Sequence, residues 1–377
     1  KGLINLLAAC RTQDLGSHFE KCDHCGYLGK AFNSCRNRHC PSCQQKDKVK
    51  WLGKRMNELL PVGYYHLVFT IPQQLNTLCL KNKKVMYTIL FKAASQTILE
   101  LANDPKHLGA NTGMMAVLHT WGQNMMEHPH LHCIMPAGGL SFDKNHWVHV
   151  RKKDNFFVHY KIISRKFRGK FLYLLNLAYQ NGDLSFNGDL LHLCGKKAFN
   201  TLLTDLYKKE WVVNIQKPIG NPEKVLEYLS RYVFRVAITD RRIIEVKEGK
   251  VRFSWKDYRH GNLCFKEMTL DINEFIRRFL LHALPQGFFK VRYFGIFSSR
   301  FRKENINLAK MILQNQSQVI HEENLDDGIT VFNKQNTVWD DIKVMIKNYK
   351  MPNCPVCKQG CMRFAGIVYP HNNWDEG

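Results

Sequence analysis

The chain has 377 residues, 45% hydrophobic and 23% charged, which is enough apolar content for packed cores and excludes intrinsic disorder as the main description. Lys and Arg number 55 against 32 Asp and Glu, a formal charge of +23, so the expected partner is a polyanion. No run of about 18 apolar residues is present, which excludes a membrane-spanning helix. The apolar stretch 2–10 is too short for a secretory signal, and no basic amphipathic helix marks a membrane surface binder.

In chain order, residues 1–48 are cysteine-rich and basic, and helical periodicity over 48–60 stops at Pro61. Residues 64–71 (YYHLVFTI) alternate and are rich in aromatic and β-branched side chains, which predicts a strand. A helix is predicted over 84–102, then strands over 114–120 and 130–135 joined by a polar turn. The RKKDNFF region near residue 151 reads as a basic linker or insertion. A helix over 196–209, a strand over 211–216 and a helix over 222–236 follow. The segment 242–255 predicts a hairpin turning at Glu248-Gly249, and 273–284 a helix closed by Pro285. Beyond Phe301 the chain reads as polar helix and then a cysteine-containing tail. Interleaved strands, helices and hairpins favour the α+β class.

Thirteen cysteines are present, six of them between Cys10 and Cys43. Clustered CxxC pairs without a secretory signal predict metal sites in a reducing, cytoplasmic setting. Cys22-x-x-Cys25 and Cys40-x-x-Cys43, 14 residues apart, match a four-cysteine zinc ribbon. Cys10, His18, Cys35 and His39 are ligand types for a second zinc; the alternative is small core cysteines and histidines that contact DNA. Arg11, Arg36, Arg38, Lys46 and Lys48 surround the cluster, as in a nucleic-acid-binding module. A zinc deaminase is excluded, because the required H-x-E is absent. The tail offers Cys354, Cys357 and Cys361, with His371 in reach, for a third zinc; the alternative is a tail that only packs or dimerises.

The second constellation is HPHLHC at 128–133. On a strand, His130 and His132 share one face while Leu131, Cys133 and Met135 share the other. His119, 11 residues before His130 on the preceding strand, arrives beside them if the strands form a hairpin. The trio then holds a divalent ion, with His128 and Glu127 as alternative ligands. The bland reading is a pair of half-buried histidines on a mixed sheet face.

The third constellation is NPEKVLEYLSRYVFRVAI at 221–238. Val225, Leu226, Leu229, Val233 and Val236 make an apolar arc, with Lys224, Tyr228, Arg231, Tyr232 and Arg235 on the adjoining one. Tyr228 and Tyr232, spaced i, i+4, project from one side beside cations that favour phenolate and attract DNA. The alternative is two amphipathic tyrosines at a core rim.

In this order, the zinc cluster (NSCRNRHCPSCQ), LHTWGQ, HPHLHC, YLSRYVFRVAI and FLLHALPQGFFKVRYFG resemble the two-tyrosine HUH transposases of rolling-circle insertion sequences, relatives of Helitrons and replication initiators. Relaxases share the chemistry, but their tyrosine precedes the histidines. The resemblance implies a zinc-binding DNA-recognition domain at 1–48, a connecting helix at 49–61, an antiparallel-sheet nuclease domain at 62–240, a hairpin-and-helix extension at 241–300 and a helical tail at 301–377. It implies nucleophiles Tyr228 and Tyr232, Mg2+ or Mn2+ on His119, His130 and His132, and one or two structural Zn2+. DNA contacts are expected from Arg36, Arg38, Lys224, Arg231, Arg235 and Arg292. The expected partner is single-stranded DNA or hairpin transposon ends, near the nucleoid, with self-association left open. The rival readings are a rolling-circle replication initiator and a zinc-dependent DNA-binding protein without catalysis.

Overall fold

A computed structural model describes residues 2–40, 43, 51–150, 157–219, 225, 233–257, 264–323 and 353–368. The chain divides into two compact units, the first built from residues 1–55, 238–241 and 333–377, the second from 56–237 and 242–332.

In the first unit, helix α1 (Gly2–Ala8) precedes an antiparallel hairpin of β1 (Ser17–Cys22) and β2 (Leu28–Phe32). The third strand of this sheet comes from the far end of the chain.

The second unit is organised on five antiparallel strands. Strand β3 (Tyr64–Thr70) is followed by helices α2 (Asn76–Lys81) and α3 (Lys83–Asn103), then by β4 (Gly113–Trp121) and β5 (Glu127–Pro136). A small two-stranded sheet pairs β6 (Gly138–Leu140) with β7 (Trp147–His149). Helices α4 (Tyr160–Gln180) and α5 (Lys196–Lys208) lead into β8 (Val213–Ile219). A three-stranded antiparallel sheet follows, of β9 (Ile243–Lys247), β10 (Lys250–Asp257) and β11 (Cys264–Asp271). Helix α6 (Ile272–Leu281), strand β12 (Val291–Gly295) and helix α7 (Arg302–Glu323) complete the unit. The main sheet has the order β12-β4-β5-β3-β8, so β5 is central.

Side chains alternate across that sheet with period two. One face carries Tyr65, Leu67 and Phe69 of β3, Met114, Ala116 and Leu118 of β4, and Leu131, Cys133 and Met135 of β5. These pack into a single buried cluster with α3 and α4, which contribute Phe91, Ile98, Phe167 and Phe171. The opposite parity carries the polar groups His66, His119, His130, His132 and Gln216 among the apolar Val68, Met115, Val117 and Ile134. Burying one face against helices therefore frees the other for chemistry.

Residues 151–156 of the basic RKKDNFF region lie outside the described ones. The 21-residue helix that follows, Tyr160–Gln180, was not among the predicted elements. Its Ile163, Phe167, Phe171, Leu174, Leu175 and Ala178 are buried at helical spacing, while its basic residues stay on the rest of the surface. In the predicted 222–236 helix, Val225 and Val233 are helical and buried; the intervening residues lie outside the described ones.

The last strand, β13 (Met362–Val368), returns to the first unit and pairs antiparallel with β1, giving the order β13-β1-β2. Within 301–377, α7 belongs to the second unit and β13, beside the cysteine-containing segment, to the first. Among the described residues, no helix is long and apolar enough to cross a membrane.

Candidate functional site

His119, His130 and His132 converge on the polar face of the main sheet, each offering a ring nitrogen within 4.8 Å of the others. The register explains this. His119 stands directly across from His130 on the β4–β5 ladder, and His132 lies two residues further along the same face. The turn that sets this register is held from outside: His282 Nε2 bonds the Met125 carbonyl at 2.9 Å, and Arg242 donates to the Gln123 carbonyl.

Hydrogen bonds select which nitrogens face inward. The His130 Nδ1 lies 2.6 Å from the His128 carbonyl, so Nδ1 carries the proton and Nε2 keeps its lone pair. On the other side, His66 Nδ1 lies 3.3 Å from Gln216 Oε1 and donates to it. His66 Nε2 is then an acceptor, 3.1 Å from His132 Nδ1, which donates. His132 Nε2 is thereby also a lone pair, 3.1 Å from His130 Nε2. A cation between the two would bind both. Nitrogens about 2.1 Å from one octahedral ion stand about 3.0 Å apart, so the donor set fits a divalent ion.

Electrostatics agree. Burial holds His132 neutral, far below the ordinary imidazole range, with the His119, His130 and His66 rings and the Arg235 guanidinium adding to it. Burial also takes His130 and His66 down to about 4. Neutral imidazole is the ligating form.

The cysteines sort differently from the expectation. Cys10, Cys35, Cys40 and Cys43 form one four-thiol group, with Sγ separations of 3.3 Å (10–43), 3.6 Å (35–43) and 3.7 Å (40–10). Cys22 and Cys25 belong instead to a second group with Cys354 and Cys357. The two N-terminal CxxC pairs therefore do not share an ion. Each cysteine pair is completed by thiols that local spacing does not reveal.

Residues 113–305, half of the chain, match the family described as "Putative transposase", and residues 2–71 match the family described as "Transposase zinc-binding domain". The chain is 42% identical to "Putative transposase y4qJ" of Sinorhizobium fredii, covering 99% of this chain and 92% of that protein. It is 28% identical to "Transposase for insertion sequence element IS801" of Pseudomonas savastanoi pv. phaseolicola, over 79% of this chain and 70% of that one. The chain belongs to this insertion-sequence transposase family. No solved structure matches it.

As a transposase it acts on DNA, and its N-terminal cysteine clusters are those of a zinc-binding domain. His18 and His39 stand outside both thiol groups. The His18 ring is engaged by Asn33 (Nδ1 to Oδ1, 2.8 Å) and Glu20 (3.4 Å). The backbone N–H of His39 donates to Asn37 Oδ1 at 2.9 Å, a local turn contact. Cys361, expected in the transposase's tail site, stands outside both thiol groups, and its backbone N–H donates to Asp23 Oδ1. His371 lies outside the described residues.

Tyr228, Tyr232, Lys224 and Arg231 lie outside the described residues. Arg235 is described, half-buried, and its charge reaches His130 and His132. Arg36 is exposed with φ +49°, and Arg38 is half-buried. Arg292 stacks its guanidinium 4.5 Å from the Phe91 ring and 4.8 Å from Phe288, which ties it to the core. The residues that sequence reasoning missed are His66, Gln216 and His282. His66 was legible as a histidine on the polar parity of a predicted strand; Gln216 carried no signal.

Proposed function

We propose that this transposase cuts and rejoins single-stranded DNA by tyrosine transesterification. Tyr228 or Tyr232 attacks the scissile phosphorus, the bond to the 3′ oxygen breaks, and a 5′-phosphotyrosine and a free 3′-OH remain. The bond energy is kept in the phosphotyrosine, so no nucleotide hydrolysis is needed, and the chain carries no GxxxxGK[ST] loop. The second tyrosine takes the second strand, so the two alternate during transfer.

The observation that carries this reading is the convergence of three imidazoles, with His130 Nε2 and His132 Nε2 3.1 Å apart and His119 beside them. A divalent ion bound there would polarise the scissile phosphate. Three imidazoles suit Mn2+ better than Mg2+. His128 and His66 orient the ligating rings through their Nδ1 atoms, and Arg235 supplies a cation near the same face. Arg36 and Arg38 of the zinc unit are the proposed contacts to single-stranded or hairpin transposon ends, and Lys224, Arg231 and Arg235 those to the backbone. Arg292, stacked on two aromatic rings, is the weakest member of that set. The thiolate-rich zinc unit fits a reducing, cytoplasmic setting.

The test is recovery of a covalent adduct between the full-length protein and a single-stranded oligonucleotide carrying a transposon end, in Mg2+ or Mn2+, mapped by mass spectrometry. The adduct is expected on the peptide containing Tyr228 and Tyr232. The double variant Tyr228→Phe/Tyr232→Phe should bind DNA and form none. A double variant that nicks at the wild-type rate refutes the mechanism, and loss of transposition in only one single variant makes the other tyrosine structural.

A further inference from the structure

The Cys22, Cys25, Cys354 and Cys357 thiols lie 329 and more residues apart in sequence between their pairs, yet within 4.8 Å of one another in the first unit. Cys22 Sγ stands 3.7 Å from Cys357 Sγ, and Cys25 Sγ 3.6 Å from Cys354 Sγ. Four sulfurs at about 2.3 Å from one tetrahedral zinc lie about 3.8 Å apart. A disulfide needs about 2.05 Å, so these are not bonded pairs.

The two CxxC loops have the same local build. In the first, the Gly26 N–H donates to the Cys22 carbonyl at 3.2 Å, and Gly26 turns with φ +72°. In the second, the Lys358 N–H donates to the Cys354 carbonyl at 3.0 Å, and Lys358 turns with φ +58°. Each loop also aims backbone N–H groups at sulfur: His24 and Cys25 at Cys22 Sγ, and Gly360 at Cys357 Sγ, at 3.3 to 3.4 Å. N–H donors on sulfur stabilise thiolate over thiol, the form that zinc requires.

The approach of the two loops is close enough to dictate sequence. A Cβ added at Gly360 would fall 2.4 Å from Cys22 Sγ and 2.6 Å from His24 Cβ. Contacts beyond the thiols hold the loops together. Asp23 accepts from the Cys361 N–H at 2.7 Å and from Arg363 Nε at 2.9 Å, and β13 lies on β1.

We propose that Cys22, Cys25, Cys354 and Cys357 form one structural zinc site, separate from Cys10, Cys35, Cys40 and Cys43, which fastens the C-terminal segment to the N-terminal sheet. The matched zinc-binding domain, residues 2–71, contains only half of this site. The chain's own tail supplies the rest, so the complete zinc unit is a product of both ends.

The full-length protein, purified in zinc and without strong chelators, is measured for zinc by mass spectrometry of the metal. Two zinc ions per chain are expected, falling to one in Cys354→Ser/Cys357→Ser. One ion in the wild type, or two retained in the variant, overturns the proposal. A second measurement uses the wild type and so does not depend on the variant's folding. The native protein is alkylated with iodoacetamide while zinc is withdrawn stepwise with a mercurial-free chelator. Cys22, Cys25, Cys354 and Cys357 should become labelled as one set, with release of one zinc. Labelling of Cys354 and Cys357 while Cys22 and Cys25 stay protected overturns the proposal, as does a disulfide between any of the four in the unreduced protein.

Discussion

His66 shows how much a single side chain contributes to a site whose ligands lie elsewhere. It touches His132 Nδ1 and Gln216 Oε1 and so fixes the direction of the His132 lone pair. Loss of such an outer partner typically lowers metal affinity about 10- to 100-fold. His66→Phe, which keeps a buried ring, should weaken Mn2+ binding by that factor, measured by electron paramagnetic resonance titration, with circular dichroism unchanged. Unaltered Mn2+ affinity would make His66 a packing residue. Glu127, on the opposite parity, has neither carboxylate oxygen hydrogen-bonded among the described residues. Burial raises its pKa to about 8, with Lys83 opposing. The fold thus favours the protonated acid. Its contribution is full below the unfolded value of about 4.3 and is lost as pH rises through about 8. Glu127→Gln should therefore gain thermal stability over the wild type progressively between pH 5 and pH 9; parallel melting curves across that range would refute the assignment. The histidine trio was legible because the two-residue spacing of His130 and His132 translates directly into one strand face. The place of His18 was not, because ligand type says nothing about what else occupies a ring.

Elements whose signal is local came through well. The strands over 64–71, 114–120 and 130–135 and the hairpin at Glu248-Gly249 match β3, β4, β5 and β9–β10. Helix α4 did not, since Lys161, Arg165, Lys166, Arg168 and Lys170 make its first half read as a charge run. The apolar stripe beneath was present in the sequence, and its Phe167 is fully buried, 4.9 Å from Phe69 and 5.4 Å from Trp211 in ring centroids. Phe167→Ala should cost about 3–5 kcal/mol. Chemical denaturation would show this as a lower midpoint with the zinc content unchanged, because the cysteines belong to the other unit. A midpoint within error of the wild type would mean that α4 packs loosely. The strand β13 was beyond any local reading: its pairing with β1 joins Cys22 to Met362, a partner no periodicity encodes.

Across the whole molecule the charge of +23 sets the affinity for DNA without setting its sequence. Binding of single-stranded oligonucleotides should weaken linearly on a log–log plot against salt, and Arg235→Ala should reduce the slope by roughly 0.7. An unchanged slope would remove Arg235 from the backbone contacts. The zinc unit is interrupted in sequence by almost the whole of the second unit, since it draws on residues 1–55 and again on 333–377. This has a bearing on synthesis. At about 5–20 residues per second, a ribosome needs roughly 15–65 s to travel the 329 residues from Cys25 to Cys354. During that interval the nascent chain carries Cys22 and Cys25 as an open dithiol, and every histidine of the sheet is made before it ends. A message cut short between residues 216 and 354 yields a protein whose histidine face is encoded in full but whose first unit never closes. The order of translation thus makes the zinc unit the last part of the transposase to mature.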